Sequence, residues 1–241
     1  MSDTEAALTA AANQRGTAVI IGAAGGIGRA LFDYLQQQEY HQVIGFARSK
    51  FIPLDLLDEA SIQSAASHLA EHAHDLSLII DATGVLESDH VTAEKSWRQL
   101  DAASMAYAFA INAIGPALLM KHLLPVLPRD QRCVFATLSA RVGSIGDNHL
   151  GGWYSYRASK AALNQIVRTA AIELKRSRPL AICVALHPGT VDTGLSRNFA
   201  KKGLEVQTPE LAAERIVQCL NQLTVADSGG FFDQMGRTIV W

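Results

Sequence analysis

Tyr156 and Lys160 stand four residues apart in the stretch "GGWYSYRASK", residues 151–160. On a helix that spacing puts both side chains on one face. A cation beside a phenol stabilises phenolate and lowers the tyrosine pKa from its usual ~10, as a proton-transferring tyrosine requires. Tyr154, six residues before Lys160, falls on a different face. An exposed lysine beside a half-buried tyrosine is the commoner meaning of such a pair, so other residues must point to the same chemistry.

A second group does so. In "AVIIGAAGGIGRAL", residues 18–31, Gly22, Gly26 and Gly28 follow an apolar run and open a helical pattern. Glycines there permit a tight turn and let backbone approach a pyrophosphate, which then sits on the free N–H groups of the helix N-terminus. At the end of the next apolar run a dinucleotide fold often carries an acid for the ribose 2′-OH. This chain instead has "GFARSK", residues 45–50, with Arg48, Ser49 and Lys50. An arginine there pairs with a 2′-phosphate, which favours NADP(H) over NAD(H). A solvated turn arginine is the alternative reading.

The elements that must position these groups are legible as an alternation. Apolar runs at 17–21, 42–47, 76–81, 132–139 and 180–187 lack in-out periodicity, as strands buried on both faces of a parallel sheet do. Helical patterns fall near 26–38, 58–72, 104–124, 154–177 and 209–222, with weaker strands at 51–54 and 230–233. The expectation is an α/β fold, a single Rossmann-type doubly wound parallel sheet of about seven strands with helices on both faces. Residues 1–16 read as a mobile tail, and 17–241 as a single domain.

Composition bounds the function. The chain has 241 residues, 49% hydrophobic, with formal net charge -2. That is enough for one large core and gives no electrostatic case for nucleic acid or an anionic membrane. Cys133, Cys183 and Cys219 are scattered, with no CxxC pair, so neither a disulfide framework nor a zinc site is expected. Acidic residues early in the chain argue against a signal peptide, and no run of 18 uninterrupted apolar residues occurs. The expected compartment is the cytoplasm. His68 and His72, four apart, could pair on a metal, but a solvated helix end is the preferred reading and no metal is expected.

Together these motifs resemble the short-chain dehydrogenase/reductase family, from about Thr17 to the C-terminus, and within it a C-signal-like and carbonyl-reductase-like branch. The resemblance assigns cofactor contacts to Gly22, Ala24, Gly26, Ile27 and Gly28, with Ile21 where a threonine is common. It assigns adenine contacts to Asp55 and Leu56, and the turn after the fourth strand to Ala82, Thr83 and Gly84, without the usual asparagine. Pro188, Gly189, Val191 and Thr193 in "HPGTVDT" match the loop bordering the nicotinamide. Asn112 matches a helical asparagine that holds a relay water, and Tyr156 with Lys160 matches the signature pair, both of which also border the cofactor.

One position departs from the pattern. Set against Gly143, the usual serine falls on Ala140. Ser139 is the first choice for that role and Ser144 the second; a one-residue shift on a regular strand would turn Ser139 to the other face. The resemblance implies hydride transfer between NADP(H) and a carbonyl or alcohol, with Tyr156 as general acid/base, and a homodimer or homotetramer. Trp97, Trp153, Leu195 and Phe199 suggest an apolar cleft and an apolar small-molecule substrate, chosen by loops near 85–105 and 194–208. The alternative is a non-catalytic NADP(H)-binding regulatory or signalling protein of the same fold.

Overall fold

Strands form where the chain is apolar without alternation, because both faces of the sheet they build are covered. A computed structural model describes residues 15–194 and 206–241. Residues 1–14 of the expected tail, Leu195, Phe199 and most of the 194–208 loop lie outside the described residues. Arg15, two residues before the expected boundary, pairs with Tyr40.

The strands are β1 (Thr17–Ile21), β2 (Val43–Ala47), β3 (Ile52–Pro53), β4 (Leu76–Asp81), β5 (Cys133–Leu138), β6 (Ala181–His187), β7 (Thr190–Val191), β8 (Val206–Gln207) and β9 (Phe231–Asp233). Seven of them make one parallel sheet in the order β3-β2-β1-β4-β5-β6-β9. The chain leaves β1 first to one side, through β2 and β3, and then to the other, through β4. That reversal opens a crevice at the carboxyl ends of β1 and β4, the place where such sheets bind ligands. The register levels these ends: Ile21 pairs with Phe46 on one side and Asp81 on the other, and Asp81 with Thr137.

The helices are α1 (Gly26–Gln36), α2 (Glu59–His72), α3 (Ala102–Phe109), α4 (Gly115–Leu123), α5 (Tyr154–Ser177) and α6 (Pro209–Gln222). On one face Leu31 and Leu35 of α1 and Ile216 and Leu220 of α6 pack on Ile20, Ile80 and Val184. On the other, α2, α4 and α5 bring Ile62, Leu69, Leu119, Leu163 and Val167 against Ile79, Phe135 and Cys183. All three cysteines are buried and unpaired. Asp58, Asp101 and Thr208 cap α2, α3 and α6 through their side chains, each satisfying an amide in the first turn. Helices α1 and α5 begin instead at Gly25 and Trp153, whose side chains cap nothing.

Two features differ from the sequence reading. The helix expected over 104–124 is broken into α3, a π turn at Ala110–Ile114, and α4. The local cause is Pro116: it has no N–H for the carbonyl of Asn112 four residues back, so α geometry cannot continue there. The other is a small parallel pair, β7 with β8, that closes the segment after β6. Each strand has only two residues, too short for a periodicity signal.

Candidate active site

Three strand ends and two helices bring the candidate residues together. Helix α5 carries Tyr156 and Lys160 one turn apart, as their spacing requires. Lys160 is buried, and its Nζ donates to the carbonyl of Leu138 at the end of β5, 2.8 Å away. A Cβ built on Gly84 would stand 3.4 Å from both Lys160 Nζ and Asn112 Oδ1, so the turn after β4 lies directly over these two groups. Asn112 sits in the π turn, fully enclosed. Its Oδ1 accepts the Val85 N–H at 2.8 Å, and its Nδ2 donates to the Val85 carbonyl at 2.8 Å and to Ser159 Oγ at 3.1 Å. Ser159 Oγ donates in turn to the carbonyl of Tyr156, 2.9 Å away. The irregular turn thus plugs Asn112 into the base of the Tyr156–Lys160 face, a placement typical of π bulges at functional sites.

The electrostatics depart from the expected depression of the tyrosine. Burial pushes the Tyr156 phenol up to about 12, and no charge offsets it. Burial also pulls the Lys160 ammonium down to about 8, opposed by the nearby Asp81 carboxylate. The reason the pair does not behave as expected is the direction of Lys160, whose ammonium is held on the Leu138 carbonyl. Asp81 is itself enclosed, and burial raises its pKa. Its oxygens accept from Thr83 N at 3.0 Å, Thr83 Oγ1 at 2.6 Å and Thr137 Oγ1 at 2.7 Å. This bonding stabilises the β4 turn, where the usual asparagine is absent.

The serines are placed as follows. Strand β5 stops at Leu138, and Ser139 turns toward α5, where its buried Oγ donates to Asn164 Oδ1 at 2.6 Å. Asn164 is eight residues past Tyr156, about 12 Å farther along the helix axis. Ser139 is therefore bonded beneath Lys160, and its immediate partner is an amide of the scaffold. Ser144 is buried at the end of a short 3₁₀ turn, Arg141–Gly143, and its Oγ accepts the Asp147 N–H at 3.1 Å. Ala140 lies between them. His187 ends β6; burial lowers its pKa to about 4, and its Nδ1 has no partner.

The residues expected to meet a nucleotide lie around the crevice. A Cβ on Gly28 would stand 2.1 Å from the Gly22 carbonyl, so the turn closes only around glycine. A Cβ on Gly26 would meet Thr193 Cγ2 at 2.6 Å, which brings the segment after β6 across the mouth of the turn. Ala24 and Gly26 are exposed and Ile27 half-buried. Arg48 and Ser49 are exposed just past β2. Asp55 Oδ1 accepts the Leu57 N–H, and Leu56 packs on Gly115. Ala82 and Thr83 border Gly22. Beyond β6, the Pro188 carbonyl accepts from Gln207 Nε2 at 2.6 Å, Gly189 lies against Gln207, and Val191 is buried. The first turn of α1 carries no acid and no side-chain cap. An uncapped helix start behind a glycine cradle fits a dinucleotide diphosphate.

Sequence reasoning missed four residues: Asp81 with its partner Thr137, Glu94 and Arg157. Glu94, from the loop after β4, is buried against Ser155 at the start of α5. Arg157 donates to the carbonyls of Val142, Gly151 and Gly152. Both act across the fold or around a loop, where linear spacing carries no signal.

Sheet order and glycine cradle define a Rossmann-type fold, with Tyr156, Lys160 and Asn112 gathered at the carboxyl ends of its strands. The comparisons with known proteins agree. The family described as enoyl-(acyl carrier protein) reductase matches residues 11–220. A 1-hydroxy-2-glutathionyl-2-methyl-3-butene dehydrogenase of Rhodococcus sp. (strain AD45) is 31% identical over 188 residues, covering 78% of each chain. The C-signal protein of Myxococcus xanthus is 36% identical over 144 residues, which is 59% of this chain and 81% of that one. Among solved structures, the carbonyl reductase Sniffer of D. melanogaster superposes with a TM-score of 0.83 at 21% identity, over 95% of this chain and all of that one. The NADPH-bound carbonyl reductase from chicken fatty liver gives 0.81 at 24% identity, over 95% of each. The chain belongs to the short-chain dehydrogenase/reductase family and is an oxidoreductase.

Proposed function

We propose that this protein is a carbonyl reductase, or alcohol dehydrogenase in reverse, that prefers NADP(H) and exchanges the substrate proton through Tyr156. The observation that carries the reading is the Lys160–Asn112–Ser159 arrangement behind Tyr156. The diphosphate would lie on the Gly22–Gly28 turn, the 2′-phosphate on Arg48 and Ser49, and the adenine by Asp55 and Leu56. Ala82, Thr83, Gly84, Pro188, Gly189, Val191 and Thr193 would border the rest. NADPH supplies a hydride when bound.

A phenol held near 12 stays protonated at neutral pH, the form needed to donate to a developing alkoxide. Lys160, with its pKa near 8, is charged at neutral pH; once turned from the Leu138 carbonyl toward the phenol in the cofactor complex, that charge would lower the cost of the phenolate left behind. Asn112 fixes the turn over Lys160 and keeps that end of the site ordered. Ser139 supports the site from below by holding Asn164, so Tyr156 is the hydroxyl that meets the carbonyl oxygen. A neutral His187 at the edge of the cleft can take a hydrogen bond without adding charge. Similarity to C-signal and Ala140 in place of a serine favour one rival, a nucleotide-binding regulator without turnover. NADPH oxidation with a panel of aldehydes and ketones separates the two: a reductase turns over at least one, and loses that activity in Tyr156→Phe.

A further inference from the structure

Resting on the reductase reading above, we propose that Glu94 is a positioning residue: its buried carboxylate replaces the missing N-terminal cap of α5 and so holds Trp153 and Tyr156 together in the cleft. The helix start is unusual. Gly151, Gly152 and Trp153 are three successive left-handed residues, with φ of +63°, +68° and +52°. A bulky residue rarely adopts that conformation and keeps it only where surroundings over-determine it. Trp153 occupies the N-cap position, where a serine, threonine or aspartate would normally accept an amide of the first turn, and its indole cannot do so.

Glu94 supplies the acceptor from 61 residues away. Its carboxylate takes the Ser155 N–H at 3.2 Å through Oε2 and also accepts from Ser155 Oγ. Its backbone carbonyl takes the Trp153 N–H at 2.5 Å. Glu94 is 3% exposed and Ser155 1%, so the acid is committed to this one turn of helix. A negative charge there also complements the helix dipole. Arg157 holds the other side of the same run, donating to Gly152 O at 2.9 Å, Gly151 O at 3.1 Å and Val142 O at 3.2 Å. Between the two clamps the Trp153 ring stands edge-on to the Tyr156 ring, with centroids 6.3 Å apart and planes at 74°. Tyr156 is the very next residue after Ser155, so a shift of the first turn moves the phenol directly. Misplacement by about 1 Å can cost on the order of 100-fold in rate.

The test uses Glu94→Ala, Glu94→Gln and Ser155→Ala in the full chain. Carbonyl reduction and NADPH affinity are measured for each. Acrylamide quenching of Trp153 is measured in a background carrying Trp97→Phe and Trp241→Phe. Glu94→Ala should lower kcat by roughly 10- to 100-fold, keep NADPH affinity within about two-fold of wild type, and expose Trp153 to quencher. Glu94→Gln keeps the side-chain size and one acceptor oxygen, and should recover most of kcat. Unchanged kcat and unchanged quenching in Glu94→Ala would overturn the proposal. So would loss of NADPH affinity in step with kcat that Glu94→Gln does not restore. Where Glu94→Ala fails to fold, Glu94→Gln and Ser155→Ala decide by the same two readouts. Should wild type reduce no carbonyl, the reductase reading fails, and the quenching of Trp153 still decides whether Glu94 holds the aromatic pair.

Discussion

Replacing Lys160 with methionine should abolish turnover and, separately, change how stability depends on pH. Burial lowers the Lys160 pKa from 10.5 to about 8. The folded value lies below the unfolded one, so between pH 8 and 10.5 the unfolded chain holds a proton that the folded chain has released. Stability contributed by this group therefore rises with pH across that window. At about 1.4 kcal/mol per pKa unit, wild type should gain about 2–3 kcal/mol between pH 7 and pH 10 relative to Lys160→Met. Tyr156 owes its raised pKa to burial alone, so its titration cancels in the difference. The lost bond to the Leu138 carbonyl adds a constant offset of about 1–3 kcal/mol and no slope. Urea denaturation of both proteins at pH 7, 8, 9 and 10 measures the difference. In carbonyl reduction by wild type, the same ionisation should lower the rate as pH rises past about 8. Stability curves that run parallel from pH 7 to pH 10 would refute the reasoning, because they would mean that Lys160 titrates alike in both states.

Other consequences are as concrete. Arg48→Ala should raise the apparent KM for NADPH by roughly 10- to 100-fold and leave NADH kinetics nearly unchanged, since only the 2′-phosphate loses its charged partner. Ser139→Ala should destabilise by about 1–3 kcal/mol in a urea melt, by orphaning Asn164, and lower kcat by less than about ten-fold. A drop on the order of 100-fold or more would put Ser139 at the substrate instead. Gly28→Ala should abolish NADPH binding in a fluorescence titration, because its Cβ would stand 2.1 Å from the Gly22 carbonyl and force the turn open.

Much of this architecture is legible in the chain, for physical reasons that differ by element. Strands β1, β4 and β6 are apolar on both faces, so their runs stand out without any periodicity. The weak runs at 51–54 and 230–233 do become strands, β3 and β9, because neighbours complete their pairing. Helix α5 begins and ends as read, since Tyr156 and Lys160 share its stripe with buried Leu163 and Val167. The break at Asn112 needed a closer reading: Pro116 was visible, and its missing N–H is what disrupts the helix. The direction of Ser139 turned on where β5 ends, and a strand end is weakly encoded because one residue reverses the face. Asp81, Glu94 and Arg157 left no trace in local spacing. Each meets its partners only once the sheet and the loop around α5 have closed, and Glu94 and Ser155 are 61 residues apart.

The central claim is proton transfer by Tyr156, and one comparison tests it directly. NADPH oxidation is followed with a panel of aldehydes and ketones for wild type and for Tyr156→Phe, with NADPH binding measured for both. The account predicts turnover by wild type, a loss on the order of 100-fold or more in the variant, and equal NADPH affinity. Full activity in Tyr156→Phe would contradict it, as would NADPH binding without turnover by a well-folded wild type across the whole panel.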